Sequence, residues 1–280
     1  LIVLLVSVLL FMFSFRVAFS MNIGLILSIV AVLLIHELGH YLGMVLFKCK
    51  DVQIFFIPLI GAATIGNQEN LVPWKNVVLF LLGPAPGIFI GTWLLLIGGG
   101  VPPSGWLRSF VALLFILNYI NLLPIVPLDG GRIFELILFS RFLFLKSVFI
   151  LLSFFAFVLF AVYTGDPIVM VISFIMLFSI VPAVSYNKEC AKLKKKIKAE
   201  NIELTKEKIL PQIFMMLKQD RFNKLPFAKK YIIAQKLLDS LTIKPLSLGT
   251  TIVSLLLYFA VLLMPIFVAM GFGFVRRFLS

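Results

Sequence analysis

The chain has 280 residues, 61% hydrophobic and 13% charged, with a mean hydropathy of +1.12. A soluble domain carries about twice that charged fraction, so a water-soluble globule is excluded and a polytopic membrane protein is indicated. The net charge is +13, yet residues 186–245 alone hold fifteen of the 25 Lys and Arg against six of the 12 Asp and Glu.

The first apolar run, near 1–19, lacks the basic start and small-residue cleavage site of a signal peptide, so it reads as a span. The chain starts at Leu1 without a Met, from which an N-terminus further upstream is expected. A second span is expected near 23–47, ending at Lys48 and Lys50. Residues 50–75 alternate in short stretches between breakers, Pro58, Gly61 and Gly66 among them, which predicts strands or a hairpin and not a span. A third span is expected near 76–97, containing Gly83-Pro84-Ala85-Pro86-Gly87. After a loop at 98–105 a fourth covers about 107–123 and runs into Pro124, Pro127 and Asp129-Gly130-Gly131-Arg132. Residues 132–141 read as a short interfacial helix. Spans near 144–163 and 167–185 form a hairpin, helical patterns follow around 188–200, 204–219 and 226–241, and a last apolar run covers about 248–274.

The fold class expected is an all-α polytopic membrane protein. It has about six to seven transmembrane helices, a short membrane-associated β-hairpin and a small helical cytoplasmic region. Residues 1–185 form the transmembrane core, 186–247 the basic region and 248–280 a transmembrane or re-entrant segment. The basic region carries no nucleic-acid motif or stacking pattern, so no nucleic-acid partner is expected. It reads as cytoplasmic by the positive-inside rule, with anionic lipid as a secondary contact. With that orientation the second and fourth spans both end on the cytoplasmic side, whereas Arg276 and Arg277 do not fit it. Cys49 and Cys190 show no zinc or redox spacing.

The chain's two histidines fall in one pentapeptide, His36-Glu37-Leu38-Gly39-His40, inside the second span. Positions i and i+4 share a helix face, so both imidazoles can reach one metal ion, and Glu37 stands beside them to handle the proton of a water. The pentapeptide lies roughly 15 Å below the cytoplasmic surface, where ionisable groups are functional by default. A catalytic zinc takes three protein ligands and keeps a fourth position open, so a third donor is needed. Asp51, Glu69, Asp129, Glu135 and Asp166 are the acids in or near the bilayer. Asp129 ends a span in a Pro- and Gly-rich break from which a carboxylate can turn back toward a neighbouring helix; Glu135 is the weaker candidate. Asn118 and Asn121 share a face of the fourth span, and either could hold an extended substrate or serve helix–helix hydrogen bonding. Gly83, Pro84 and Gly87 read as close helix packing.

His36-Glu37-Leu38-Gly39-His40, together with Asn121-Leu-Leu-Pro124-Ile-Val-Pro127-Leu-Asp129-Gly130-Gly131-Arg132, resembles the site-2 protease family of intramembrane zinc metalloproteases. Gly83-Pro84-Ala85-Pro86-Gly87 is similar to a third motif of that family. The resemblance covers roughly residues 21–140. It implies Zn2+ held by His36, His40 and Asp129, with Glu37 as acid/base and Asn121 against substrate. It also implies transmembrane-helix substrates cut within the lipid bilayer of a plasma membrane, bacterial or archaeal. A metal transporter would instead need ionisable groups strung along several spans, and an inactive scaffold would have no use for an intact site.

Overall fold

The structure, a computed structural model, describes residues 2–67, 71–98, 105–125, 128–139, 143–165, 206–219 and 246–279, with scattered positions from 192 to 238. It divides into two compact units, Leu1–Phe134 with Ser247–Ser280, and Glu135–Leu246. Most of the described chain is helical. Among the described residues five helices are long and apolar enough to cross a membrane: Ile2–Phe19, Ile23–Leu46, Pro73–Ile97, Gly105–Leu122 and Leu248–Val268. The expected span at 167–185 lies outside the described residues.

In the first unit α1 is Ile2–Phe19 and α2 is Ile23–Leu46. Asn22 caps α2 by accepting the Gly24 N–H at 2.8 Å, which satisfies one of the otherwise orphaned donors of the first turn. The expected hairpin follows as β1, Lys50–Ile57, and β2, Gly61–Asn67, paired antiparallel with Phe56 opposite Ala62 and Ile54 opposite Thr64. Leu59, in the connection, has φ 63°, and the Ile60 N–H donates to the Ile57 carbonyl at 3.1 Å. Phe56 anchors the hairpin in a buried cluster with Phe11 of α1 and Ile26 and Val30 of α2.

The third expected span is two helices: α3, Pro73–Leu82, and α4, Pro84–Ile97. Proline at 84 has no N–H to continue the helical ladder and crowds the preceding turn, so the ladder is interrupted at Gly83, which itself keeps helical dihedrals of −63° and −65°. Next comes α5, Gly105–Leu122, then a short α6, Asp129–Phe134. The last apolar run is one continuous helix, α9, Leu248–Leu279, with Pro265 inside it, and not a re-entrant turn. Labels α7 and α8 go to the second unit: Leu143–Thr164, and Lys206–Gln219, where the 204–219 pattern predicted a helix. Before α7, Glu135–Phe139 forms one π-helical turn in place of the rest of the expected interfacial helix. On α8, Ile209, Ile213 and Leu217 are fully buried at a four-residue spacing, the stripe of an amphipathic helix.

Lipid is as apolar as leucine, so burial of apolar surface does little to hold spans together; close backbone approach and hydrogen bonds do more. Two pairs of glycines four residues apart supply that approach. A Cβ at Gly39 would overlap the Leu82 backbone, and one at Gly43 would press on Leu79 and Leu82, so α2 lies directly on α3. On α4, Gly87 lies against Asn118 and Gly91 against Leu114 and Phe115 of α5. Outward faces are apolar: Leu5, Leu9, Phe13 and Val17 on α1 and Ile252, Leu256 and Phe259 on α9 are all exposed, as a bilayer solvent requires.

Candidate metal centre

Three packed helical segments build the site: α2 supplies His36, Glu37 and His40, the α3–α4 break lies against them, and α6 supplies Asp129. All four residues are less than a tenth exposed. His36 Nε2 lies 3.1 Å from Asp129 Oδ2, His40 Nε2 3.2 Å from the same oxygen, and the two Nε2 atoms 3.2 Å from each other. Among the described residues these three form the one group of His, Cys, Asp and Glu able to hold a metal ion, and Glu135 is not in it.

The outer partners set the tautomers. His40 Nδ1 faces the Leu79 carbonyl at 3.0 Å, which can only accept, so Nδ1 carries the proton. Leu79 is in the last turn of α3, where carbonyls have lost their helical partners. His36 Nδ1 faces Asn118 Oδ1 at 2.9 Å, while Asn118 Nδ2 donates to the Leu114 carbonyl at 2.7 Å. The amide orientation is therefore fixed, and His36 also carries its proton on Nδ1. In their neutral form both imidazoles then aim Nε2 lone pairs at a carboxylate oxygen. Three electron-pair donors converging in a buried place repel one another unless a cation sits among them. A tetrahedral ion with bonds of about 2.0–2.1 Å separates its ligands by about 3.3 Å, close to the three separations found. The donor set of two imidazoles and one carboxylate, each imidazole anchored through its other nitrogen, suits zinc.

The glycines of Gly83-Pro84-Ala85-Pro86-Gly87 do pack closely, as expected, but what they pack against is the site itself. A Cβ at Gly83 would run into the His40 ring and reach His36 Nε2, and one at Gly87 would overlap the Asn118 amide. Gly130, next to Asp129, lies against the carbonyls of Leu122 and Leu123, so the α5–α6 connection folds tightly back. Asn118, expected among the substrate-binding residues, is fully buried with both ends of its amide engaged by His36 and Leu114. Asn121 is half-buried and donates one N–H to the Leu117 carbonyl at 3.0 Å. Among the described residues nothing hydrogen-bonds its Oδ1.

One partner of the site was not foreseen. Thr64 of β2 places its hydroxyl 2.6 Å from Glu37 Oε2. The sequence signal for it is period-two alternation, which puts Ala62 and Thr64 on the hairpin face that carries Phe56 toward the helices.

No protein-family model matches the chain. It is 30% identical over 118 residues to the stage IV sporulation protein FB of Bacillus subtilis, covering 41% of this chain and 40% of that protein. It is 31% identical over 126 residues to a zinc metalloprotease of Methanocaldococcus jannaschii, covering 44% of this chain and 36% of the other. Among solved structures it is similar to a site-2 protease from Methanocaldococcus jannaschii. The TM-score is 0.45 and the identity 19%, over 64% of this chain and 88% of that one. The chain spans two fifths or less of the length of these two curated relatives. With five apolar helices of spanning length and relatives of this kind, it is a multi-pass membrane protein whose resemblance to the site-2 protease family of zinc metalloproteases holds.

Proposed function

We propose that the chain is an intramembrane zinc endopeptidase whose substrates are membrane-spanning segments of other proteins. The observation that carries this reading is the convergence of two Nδ1-anchored imidazoles and Asp129, with Glu37 adjacent in sequence on the same helix. His36, His40 and Asp129 would hold the zinc, which when bound supplies Lewis acidity toward a peptide carbonyl and lowers the pKa of water at its open position. Glu37 accepts the proton of the attacking water at its carboxylate and delivers it to the departing amine nitrogen. Asn118 and Leu79 keep the imidazoles in the ligating tautomer. Asn121, with its oxygen unengaged, is the amide available to an extended substrate.

A spanning helix satisfies its own backbone bonds, so the scissile stretch must unwind and find new partners. The hairpin offers them. The Phe56 N–H donates to Ser7 Oγ of α1 at 3.0 Å, so it points away from β2. Phe56 and its partner Ala62 are therefore a pair without mutual hydrogen bonds, and Thr64 has the same parity. The N–H and C=O of Ala62 and Thr64 accordingly point to the outer edge of β2. Helix α1 packs on β1, and among the described residues no further strand pairs with β2. An extended substrate adding there would gain main-chain hydrogen bonds without a demand on its side chains. Expected with this reading is a cytoplasmic placement of 186–247.

The test is cleavage of a membrane-spanning substrate by purified protein, with and without a zinc chelator, beside Glu37→Gln. Cleavage should be lost with chelator and restored by zinc, and Glu37→Gln should bind zinc without cutting. Full activity of that variant would sink the assignment.

A further inference from the structure

Glu37 belongs to α2, but its side chain is held from the hairpin. Thr64 Oγ1 lies 2.6 Å from Glu37 Oε2 and 3.1 Å from the Glu37 backbone carbonyl. A hydroxyl has one proton to give, and the shorter contact has the length of a bond from a hydroxyl to a carboxylate oxygen. Among the described residues no hydrogen bond reaches Oε1. The two carboxylate oxygens are thus differentiated: Oε2 is anchored and Oε1 is left to receive a proton.

The main chain of the same residue faces elsewhere. By the parity fixed through Phe56 and Ser7, the Thr64 N–H and C=O lie on the open edge of β2. One residue therefore meets the base through its side chain and the open strand edge through its backbone. Phe56, locked between Phe11 of α1 and Ile26 of α2, fixes the hairpin that carries it.

We propose that Thr64 is a positioning residue for Glu37: its hydroxyl clamps Oε2 so that Oε1 works, and it ties the base to the strand edge where substrate seats. The proposal rests on the protease reading above, and its test is built so that the two can fail separately. Full-length purified protein is compared as wild type, Thr64→Val, Thr64→Ser and Glu37→Gln, with zinc content measured on each. Thr64→Val keeps the shape and removes the proton. It should retain zinc and KM and lower kcat roughly ten- to a hundredfold, the scale of a lost hydrogen bond to a carboxylate. Thr64→Ser restores the hydroxyl and should recover kcat to within about threefold; Thr64→Ala serves if valine disturbs folding. A second readout needs no proteolysis: the infrared difference between Thr64→Val and Thr64→Ser should show a shifted carboxylate stretch that vanishes when Glu37→Gln is added to both. Wild-type kcat in Thr64→Val, or a difference spectrum without a carboxylate feature, overturns the proposal. If wild type does not cleave but the Glu37-dependent feature is present, the protease reading falls and the clamp stands.

Discussion

Replacing Asn118 with alanine separates two roles that the sequence leaves open. If Asn118 held substrate, Asn118→Ala would raise KM or lower kcat with zinc binding untouched. The structure argues otherwise, because Asn118 Oδ1 takes the His36 Nδ1–H at 2.9 Å inside a fully buried site. Truncation leaves that N–H without a partner and frees the ring to rotate. Losing such an outer partner typically weakens metal affinity about 10- to 100-fold, which is about 1.4–2.8 kcal/mol. Leu114 regains a free carbonyl, but the helical ladder of α5 already satisfies it in part, so the fold should survive. The assay is competition for zinc against a chromophoric chelator, read beside circular dichroism and cleavage at saturating zinc. We expect weaker zinc binding by one to two orders of magnitude and activity substantially recovered by excess zinc. Zinc affinity within about twofold of wild type, with impaired KM, would refute the reasoning and return Asn118 to the substrate.

Asp129→Ala should abolish tight zinc binding, whereas Glu135→Ala should leave it unchanged, as measured by metal content after dialysis; the reverse pattern would move the third ligand. Ala62→Pro removes an N–H that points to the open edge of β2 without touching a ladder bond, a position where proline is tolerated. It should leave zinc content normal and weaken cleavage of a spanning substrate roughly two- to tenfold, the worth of one hydrogen bond; unchanged kinetics would argue against strand addition. Cysteines engineered within 186–245, in a background lacking Cys49 and Cys190, should escape an impermeant thiol reagent on intact cells, while cysteines within 98–105 react. The opposite labelling would invert the topology.

The three side chains that cluster were legible because their chemistry is local. A four-residue spacing on one helix puts His36 and His40 on one face whatever else the protein does, and Asp129 stands in a break that lets it turn back. The hairpin was legible from its alternation and its breakers, though not its register. Ile60 lies in the connection, where its N–H closes the turn on Ile57. What stayed hidden depends on which surfaces meet. The Gly39–Gly43 and Gly87–Gly91 spacings are visible in the sequence, but nothing local says that one lies on the α3 backbone and the other on Asn118. Alternation places Thr64 on the inward face of the hairpin, but its partner was hidden for the same reason. A threonine in a strand is ordinary, and only the packing of β2 over α2 makes it the partner of Glu37. The run at 76–97 is long and apolar enough to span, as Pro73–Ile97, yet composition is blind to the interruption that Pro84 puts into it.

Both helix breaks raise the same physical problem and resolve it in the service of the site. A break at membrane depth frees carbonyls that lipid cannot satisfy, so irregular backbone persists there only where protein supplies donors. At the α3–α4 break the Leu79 carbonyl takes the His40 Nδ1–H. That contact gives the carbonyl a donor and sets the imidazole tautomer together. At the end of α5 the Leu122 carbonyl takes the Tyr258 hydroxyl of α9 at 2.5 Å, and the Tyr119 hydroxyl returns a bond to the Leu262 carbonyl at 2.9 Å. Phe134 packs edge-on against Tyr258, which ties α6 to the same helix. Asp129 therefore hangs from a connection fixed at its α5 end and its α6 end by α9, more than a hundred residues later in the chain. On this geometry α9 supports the candidate metal centre.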